Sequence, residues 1–266
     1  MKYKAGFIGA GNMGGALLRA VAAAAGGENV ALFDLSEERA QRAASLTGAT
    51  YTTAEDVYKN SEYVFFAVKP NVIEKILTAA SSQIKSKTVV VSMAAGVSVS
   101  RIKAAAGTDK VIRIMPNTPA AIGRGVILYT VGRDISESEK KGFLDIMNKC
   151  GIVDEIDEKL IDAASALSGC GPAYAYMFIE ALADGAVACG LPRDRALLYA
   201  KHTVLGAASL AATSGKHPEE LKDEVCSPGG TTIEGVLALE RGAFRSDVAS
   251  AVVAAYDKTA KLAEKK

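Results

Sequence analysis

The chain has 266 residues, of which 49% are apolar and 23% charged, and its net charge is +1. That length supports a sizeable core divided between one or two domains. The near-neutral balance gives no reason to expect a nucleic-acid or acidic-membrane partner, no run of about 18 uncharged apolar residues reads as a membrane span, and the glycines from Gly9 to Gly15 break the N-terminal apolar run too soon for a secretory signal.

In chain order, the first half alternates short apolar runs with amphipathic stretches. Strands are predicted at residues 5–8, 30–33, 63–68, 88–92, 111–115, 126–131 and 152–156. Helices are predicted at 13–25, 36–46, 71–80, 99–106 and 137–149. The run Tyr63-Val-Phe-Phe-Ala-Val68 has no polar alternation, as expected of a strand covered on both faces. Strand and helix in turn at this spacing predict an α/β fold with a doubly wound sheet over residues 1–157. From 158 to 266 the strands stop. Helices are predicted at 158–167, 173–190, 193–214, 218–225, 232–241 and 243–263, separated by Gly-Pro, Gly-Leu-Pro and Ser-Pro-Gly-Gly. Their faces are so rich in Ala, Leu, Val and Ile that a second subunit is expected to complete the core. The cysteines Cys150, Cys170, Cys189 and Cys226 are scattered, and the only histidines are His202 and His217. No zinc or redox pattern results, and free thiols in a reducing, cytoplasmic setting are expected.

Gly9-Ala10-Gly11-Asn12-Met13-Gly14 matches G-x-G-x-x-G. It follows the strand ending at Ile8, opens a helix, and lies in a βαβ unit whose second strand ends at Asp34. That context identifies a Rossmann-type dinucleotide site. Gly9 makes the turn, Gly11 lets the pyrophosphate approach, and Gly14 lets the helix pack, with the helix N-terminus holding the phosphates. Asp34 is placed to accept from a ribose 2′-hydroxyl, which leans the cofactor toward NADH. A 2′-phosphate there meets a repulsion of about 3 kcal/mol per unit charge at roughly 5 Å, although Arg39 lies close enough in sequence to reach around. A helix N-terminal charge ahead of Ser36 is the alternative for Asp34.

Three later loops follow strand ends, where ligands collect in such sheets: Ala67-Val68-Lys69-Pro70, Ala94-Ala95-Gly96, and Met115-Pro116-Asn117-Thr118-Pro119. Lys69 suits a diphosphate or ribose, or is a solvent lysine before a turn proline. Asn117 and Thr118 offer an amide and a hydroxyl to a nicotinamide amide, or form a proline-stiffened turn without a ligand. In the helical half, Ser227-Pro228-Gly229-Gly230-Thr231-Thr232 reads as a turn, or as bare backbone N–H groups that bind an anion.

The run from Pro218 through Cys226-Ser-Pro-Gly-Gly-Thr-Thr232 to Glu240, together with Ala67-Val-Lys-Pro70, Arg113-Ile-Met-Pro-Asn-Thr-Pro119, Leu167-Ser-Gly-Cys-Gly-Pro-Ala-Tyr174 and Gly242-Ala-Phe-Arg245, resembles pyrroline-5-carboxylate reductase over the whole chain. The Ser-Pro-Gly-Gly-x-Thr element is the specific part; the N-terminal motifs are shared with other dehydrogenases. The resemblance implies NADH- or NADPH-dependent reduction of 1-pyrroline-5-carboxylate to L-proline. It also implies an all-α C-terminal dimerisation domain, a homodimer, and a decamer of five dimers. By resemblance the turn 227–232 of one subunit meets the nicotinamide of the other, with Thr232 beside the substrate nitrogen. The residues agree with this: Thr231-Thr-Ile-Glu234 reads as a capping box that opens a helix, whose N–H groups suit a carboxylate. Glu224 and Ala54 depart from the asparagines some relatives carry, and no contact is carried over to either.

Two rival readings are weighed. A β-hydroxyacid dehydrogenase needs a lysine and an asparagine where Ala175 and Ile179 stand. A nucleotide sensor has no use for a second anion seat at 227–232.

Overall fold

A computed structural model describes residues 1–264. It divides into two compact units, Met1–Cys170 with the segment from Ala255 onward, and Gly171–Ala254. In the first unit, β1 (Tyr3–Ile8), α1 (Asn12–Ala25), β2 (Val30–Phe33), α2 (Glu37–Thr47), β3 (Thr50–Tyr51), α3 (Ala54–Asn60), β4 (Ser61–Phe66), α4 (Ile73–Ala80), β5 (Val89–Ser92), α5 (Val99–Ala106), β6 (Val111–Met115), β7 (Gly125–Val131), α6 (Glu137–Met147), β8 (Gly151–Glu155) and α7 (Glu158–Ser168) follow in order. The eight strands make one sheet in the order β3-β2-β1-β4-β5-β6-β7-β8. Its first six strands are parallel; β7 runs antiparallel to β6, and β8 parallel to β7. The order reverses beside β1, and that switch point is where such sheets bind ligands.

The sheet is covered on both faces, as the unbroken apolar strands require. One core joins Phe7, Phe65, Val91 and Ile112 to Leu17, Leu18 and Val21 of α1 and to Phe143 and Met147 of α6. The other joins Tyr3, Val64, Phe66 and Val90 to Val57 of α3, Leu77 of α4 and Ile102 of α5. Phe7 and Phe65 stack across β1 and β4 with ring centroids 4.6 Å apart. α7 belongs with this unit because Arg113, buried on β6, pairs with Asp162 and with Glu158 Oε1 at 3.5 Å, and the same Glu158 oxygen accepts from the Val99 N–H at 2.6 Å. A buried guanidinium without such carboxylates is strongly disfavoured.

The second unit holds α8 (Gly171–Ala188), α9 (Arg193–Ser214), α10 (Pro218–Glu224) and α11 (Thr231–Arg241), with α12 (Phe244–Glu264) beginning in it. Its core is small: Ala183, Ala196 and Ala200, flanked by Ile179, Ala186, Val187, Leu191 and Leu197. Large apolar side chains stay exposed, with Met177 at 70%, Tyr176 at 60% and Leu205 at 60%. An isolated soluble chain rarely leaves that much apolar surface in water. No helix among the described residues is long and apolar enough to cross a membrane.

Candidate functional site

The glycine loop has the geometry its residue types demand. Gly9 sits at φ +101°, where an added Cβ would lie 2.5 Å from the Ala67 carbonyl oxygen. At Gly14 a Cβ would lie 2.4 Å from the Gly9 carbonyl oxygen. Nothing lies within 4 Å of the corresponding position on Gly11, so its backbone stays open to a ligand. α1 then begins at Asn12 with no side-chain cap on its first N–H groups, which is the arrangement that receives phosphate oxygens. These residues fit a dinucleotide pyrophosphate.

Two cavities flank the loop. One of about 700 Å³ is lined by Gly11, Asn12, Arg19, Arg39, Arg42 and Thr118, among others. The other, of about 810 Å³, is lined by Ile8, Gly9, Gly11, Asp34, Arg39, Ala67, Val68 and Lys69 and by apolar residues of α3 and α4. Both are large enough for half of a dinucleotide. Lys69 is exposed at the end of β4. Met13, Gly14, Pro70, Ala94, Ala95, Gly96 and Asn117 line neither cavity. Ala94 is fully buried, and Gly96 turns the chain after β5 at φ +68°.

Two side chains expected to meet the ligand also bond within the protein. Asp34 is only 8% exposed. Its Oδ2 accepts from the Ala10 N–H at 2.7 Å, its Oδ1 accepts from the Ser36 N–H at 2.8 Å, and the Arg39 guanidinium donates to both oxygens at 3.3 and 3.4 Å. The carboxylate thus faces the loop, because the reversal after β2 brings two N–H dipoles to it. Asn117 is also buried: its Nδ2 donates to the Ser168 carbonyl oxygen and its Oδ1 accepts from the Val126 N–H, both at 2.9 Å. Its amide fixes the β6–β7 loop, and Thr118 beside it stays exposed. The arginines Arg19 and Arg42 were not singled out from sequence, although Arg39 and Arg42 share a helix face at i, i+3.

In the helical unit, the Gly230 N–H donates to the Ser227 carbonyl oxygen at 3.0 Å, and Gly229 adopts φ +67°. Ser227, Pro228 and Gly229 therefore form an exposed turn directly ahead of α11. The expected capping box is absent. Gly230 is the N-cap, no side chain caps the helix, and Thr231 is its first residue. The extended backbone at Gly230 starts the helix one position earlier, so the hydroxyls of Thr231 and Thr232 and the first N–H groups of α11 stay exposed. Arg245 donates to Glu219 and Glu240, each at 2.6 Å, joining α10, α11 and α12, and holds the Glu219 carboxyl down to about 2. His217 caps α10, its Nδ1 accepting from the Glu219 N–H at 3.2 Å, while His202 is exposed. Cys150 is buried, and desolvation pushes its thiol up to about 12, which makes it inert. No cluster of metal-binding groups occurs among the described residues.

Comparison with known proteins gives a consistent result. Residues 158–262 match the family described as pyrroline-5-carboxylate reductase dimerisation, and residues 4–96 match that described as NADP oxidoreductase coenzyme F420-dependent. The chain is 41% identical to pyrroline-5-carboxylate reductase of Arabidopsis thaliana, over 98% of this chain and 96% of that protein. It is 37% identical to that of Escherichia coli (strain K12), over 99% and 100%. The crystal structure of Plasmodium falciparum pyrroline carboxylate reductase with NADP bound superposes with a TM-score of 0.89, at 33% identity and 99% coverage of each chain.

The tight contacts at Gly14 generate a prediction. Gly14→Ala forces the α1 backbone away from the Gly9 carbonyl, and binding of NADH and NADPH alike is expected to weaken by at least about tenfold. Fluorescence titration of the reduced nicotinamide checks it; unchanged affinities would place the dinucleotide elsewhere.

Proposed function

The chain belongs to the pyrroline-5-carboxylate reductase family, and from that premise we propose the roles of its residues in the family's reaction. It reduces 1-pyrroline-5-carboxylate to L-proline with NAD(P)H, the last step of proline biosynthesis. The observation that carries the substrate assignment is the uncapped start of α11 behind the Ser227–Gly230 turn.

The substrate carboxylate sits on the first N–H groups of α11, where the helix dipole favours negative charge. Ser227, Pro228, Gly229 and Gly230 shape the approach. The Thr231 and Thr232 hydroxyls lie at the first two helical positions, and the Thr232 hydroxyl holds or polarises the ring nitrogen. Reduced nicotinamide, when bound, supplies the hydride for the imine carbon. Since a protonated imine is already a good hydride acceptor, no strong protein acid is required, and positioning is the chain's main contribution. On the cofactor side, Ile8, Gly9, Gly11, Asn12, Met13 and Gly14 cradle the pyrophosphate. Ala67, Val68, Lys69 and Pro70 border the ribose, while Ala94, Ala95, Gly96, Asn117 and Thr118 shape the loops after β5 and β6.

The sequence leans to NADH through Asp34. The side-chain arrangement supports NADPH instead: Asp34 is taken up by backbone donors and Arg39, and Arg19, Arg39 and Arg42 line one cavity. A 2′-phosphate finds three guanidinium groups there, the side chain best suited to it. The sequence boundary puts the helical domain at 158–266, and residues 158–262 of it match the dimerisation family. Its exposed apolar side chains support a homodimer, and the family resemblance extends this to five dimers.

Three measurements test these assignments. Absorbance of the reduced nicotinamide is expected to fall only when pyrroline-5-carboxylate is added, and Thr232→Ala is expected to slow that loss by about 10–100-fold; an unchanged rate removes Thr232 from the site. Arg39→Ala is expected to raise KM for NADPH by about tenfold or more with little change for NADH, and equal effects would return the preference to Asp34. Light scattering on the purified protein is expected to give a decamer, with a stable dimer refuting the ring and a monomer refuting both.

A further inference from the structure

One charged side chain closes the stretch of chain that carries the substrate turn. Arg245, in the first turn of α12, donates through Nε to Glu240 in the last turn of α11, and through Nη1 to Glu219 in the first turn of α10, each at 2.6 Å. Residues 227–232 lie between those two glutamates in sequence. The chain reaches Arg245 through a strained elbow. Ala243, between α11 and α12, is the one non-glycine residue with a positive φ among those described, at +59°, a conformation that a Cβ disfavours. Its N–H donates to the Glu240 carbonyl oxygen at 3.1 Å, and its carbonyl oxygen accepts from the Asp247 N–H at 3.0 Å. α12 is also held by α8: Phe244 meets Phe178 with ring centroids 5.8 Å apart, and the Tyr174 hydroxyl donates to the Ala251 carbonyl oxygen at 3.1 Å.

Strain of this kind persists where surrounding contacts over-determine it, and here they bring one guanidinium to two helices. Stability alone does not account for the arrangement. The Arg245, Glu219 and Glu240 side chains are 56%, 43% and 43% exposed, and exposed ion pairs add little to stability. A guanidinium is, however, a planar fork that holds two carboxylates in fixed directions, which a single ammonium does not. The Glu219 arm stays charged at neutral pH, because Arg245 and then Lys222 hold that carboxyl down to about 2. Accepting the reading that the turn ahead of α11 seats the substrate carboxylate, we propose that Arg245 is a positioning residue for that seat. It acts through α10 and α11. By tying Glu219 to Glu240 it fixes the two helices that flank the turn, and so the place of the first N–H groups of α11 and of the Thr231 and Thr232 hydroxyls. A displacement of about 1 Å at such groups is enough to cost tenfold or more in turnover of a bound substrate.

The test sets substrate against cofactor. Arg245→Gln is expected to lower kcat/KM for pyrroline-5-carboxylate by about tenfold or more, mainly through KM, with the Kd of NADPH from fluorescence titration unchanged. Arg245→Lys, which reaches one carboxylate at a time, is expected to fall between that variant and wild type. Glu219→Gln and Glu240→Gln each remove one arm and are expected to raise the same KM by about threefold. Added to Arg245→Gln, either glutamate change is expected to do nothing more, because its partner is already gone; a further rise overturns the pairing. Should Arg245→Gln fail to fold, the two glutamate variants carry the same comparison. Unchanged kcat/KM in the Arg245 and glutamate variants, beside a slowed Thr232→Ala, overturns the proposal and leaves the seat in place. An equal loss of cofactor affinity in those variants marks a general loss of structure and overturns it too. If Thr232→Ala also runs at the wild-type rate, the seat reading falls and this proposal with it.

Discussion

One carboxylate holds the cofactor half together. Asp34 accepts from the Ala10 N–H in the glycine loop and from the Ser36 N–H at the start of α2. Through it the β1–α1 turn and the β2–α2 turn become one rigid rim. A glycine loop is conformationally permissive and entropically expensive to order. Here that freedom is removed from two directions: sterically, by the Gly9 and Gly14 contacts with Ala67, and electrostatically, by a buried anion with three donors. A carboxylate bonded to backbone N–H groups is among the stronger hydrogen-bond arrangements. The rim is thereby set before any ligand arrives, which is the condition for binding energy to go into orientation.

The helical half solves a different problem. Its core rests on three alanines, and alanines bury little area each, so hydrophobic stabilisation at about 25 cal/mol per Å² remains small for this unit alone. The aromatic and large aliphatic side chains that would enlarge it point outward. Composition and exposure together leave this unit with apolar surface that a partner subunit would cover, in agreement with the matched dimerisation family.

The parallel sheet was legible from its unbroken apolar runs, and the dinucleotide site from a glycine pattern placed between strand and helix. The misses have local physical causes. β3 is two exposed residues and carries no hydrophobic signal. α3 has seven residues, and only the Thr53 cap, accepting from the Asp56 N–H, marks it. β4 begins two residues before its apolar run because Ser61 is buried against Gly6, where a Cβ would lie 2.3 Å from the Ser61 Oγ. For the site, local sequence named positions but could not set the orientations of their side chains. The partners of Asn117 lie 9 and 51 residues away, and no spacing rule reaches that far. Asp34 bonds to its loop because Ala10, 24 residues earlier, donates to it, while the residue still lines the larger cavity.

The missing capping box sharpens the reading of the substrate turn. A threonine at the N-cap would satisfy one of the first N–H groups of α11 and stabilise the helix, with glycine only a few tenths of a kcal/mol behind it. Gly230 in that role leaves those donors, and both threonine hydroxyls, unused by the protein. The glutamate that would complete the box, Glu234, is exposed and makes no return bond to the cap. At the start of α6, by contrast, Ser136 and Glu139 form the full reciprocal box. Helices α4 and α9 also start without a side-chain cap, so the open start of α11 supports the proposed anion seat only together with the glycine turn ahead of it. Free donors at this helix start are what the proposed substrate seat requires, and local design rules give way first at functional sites.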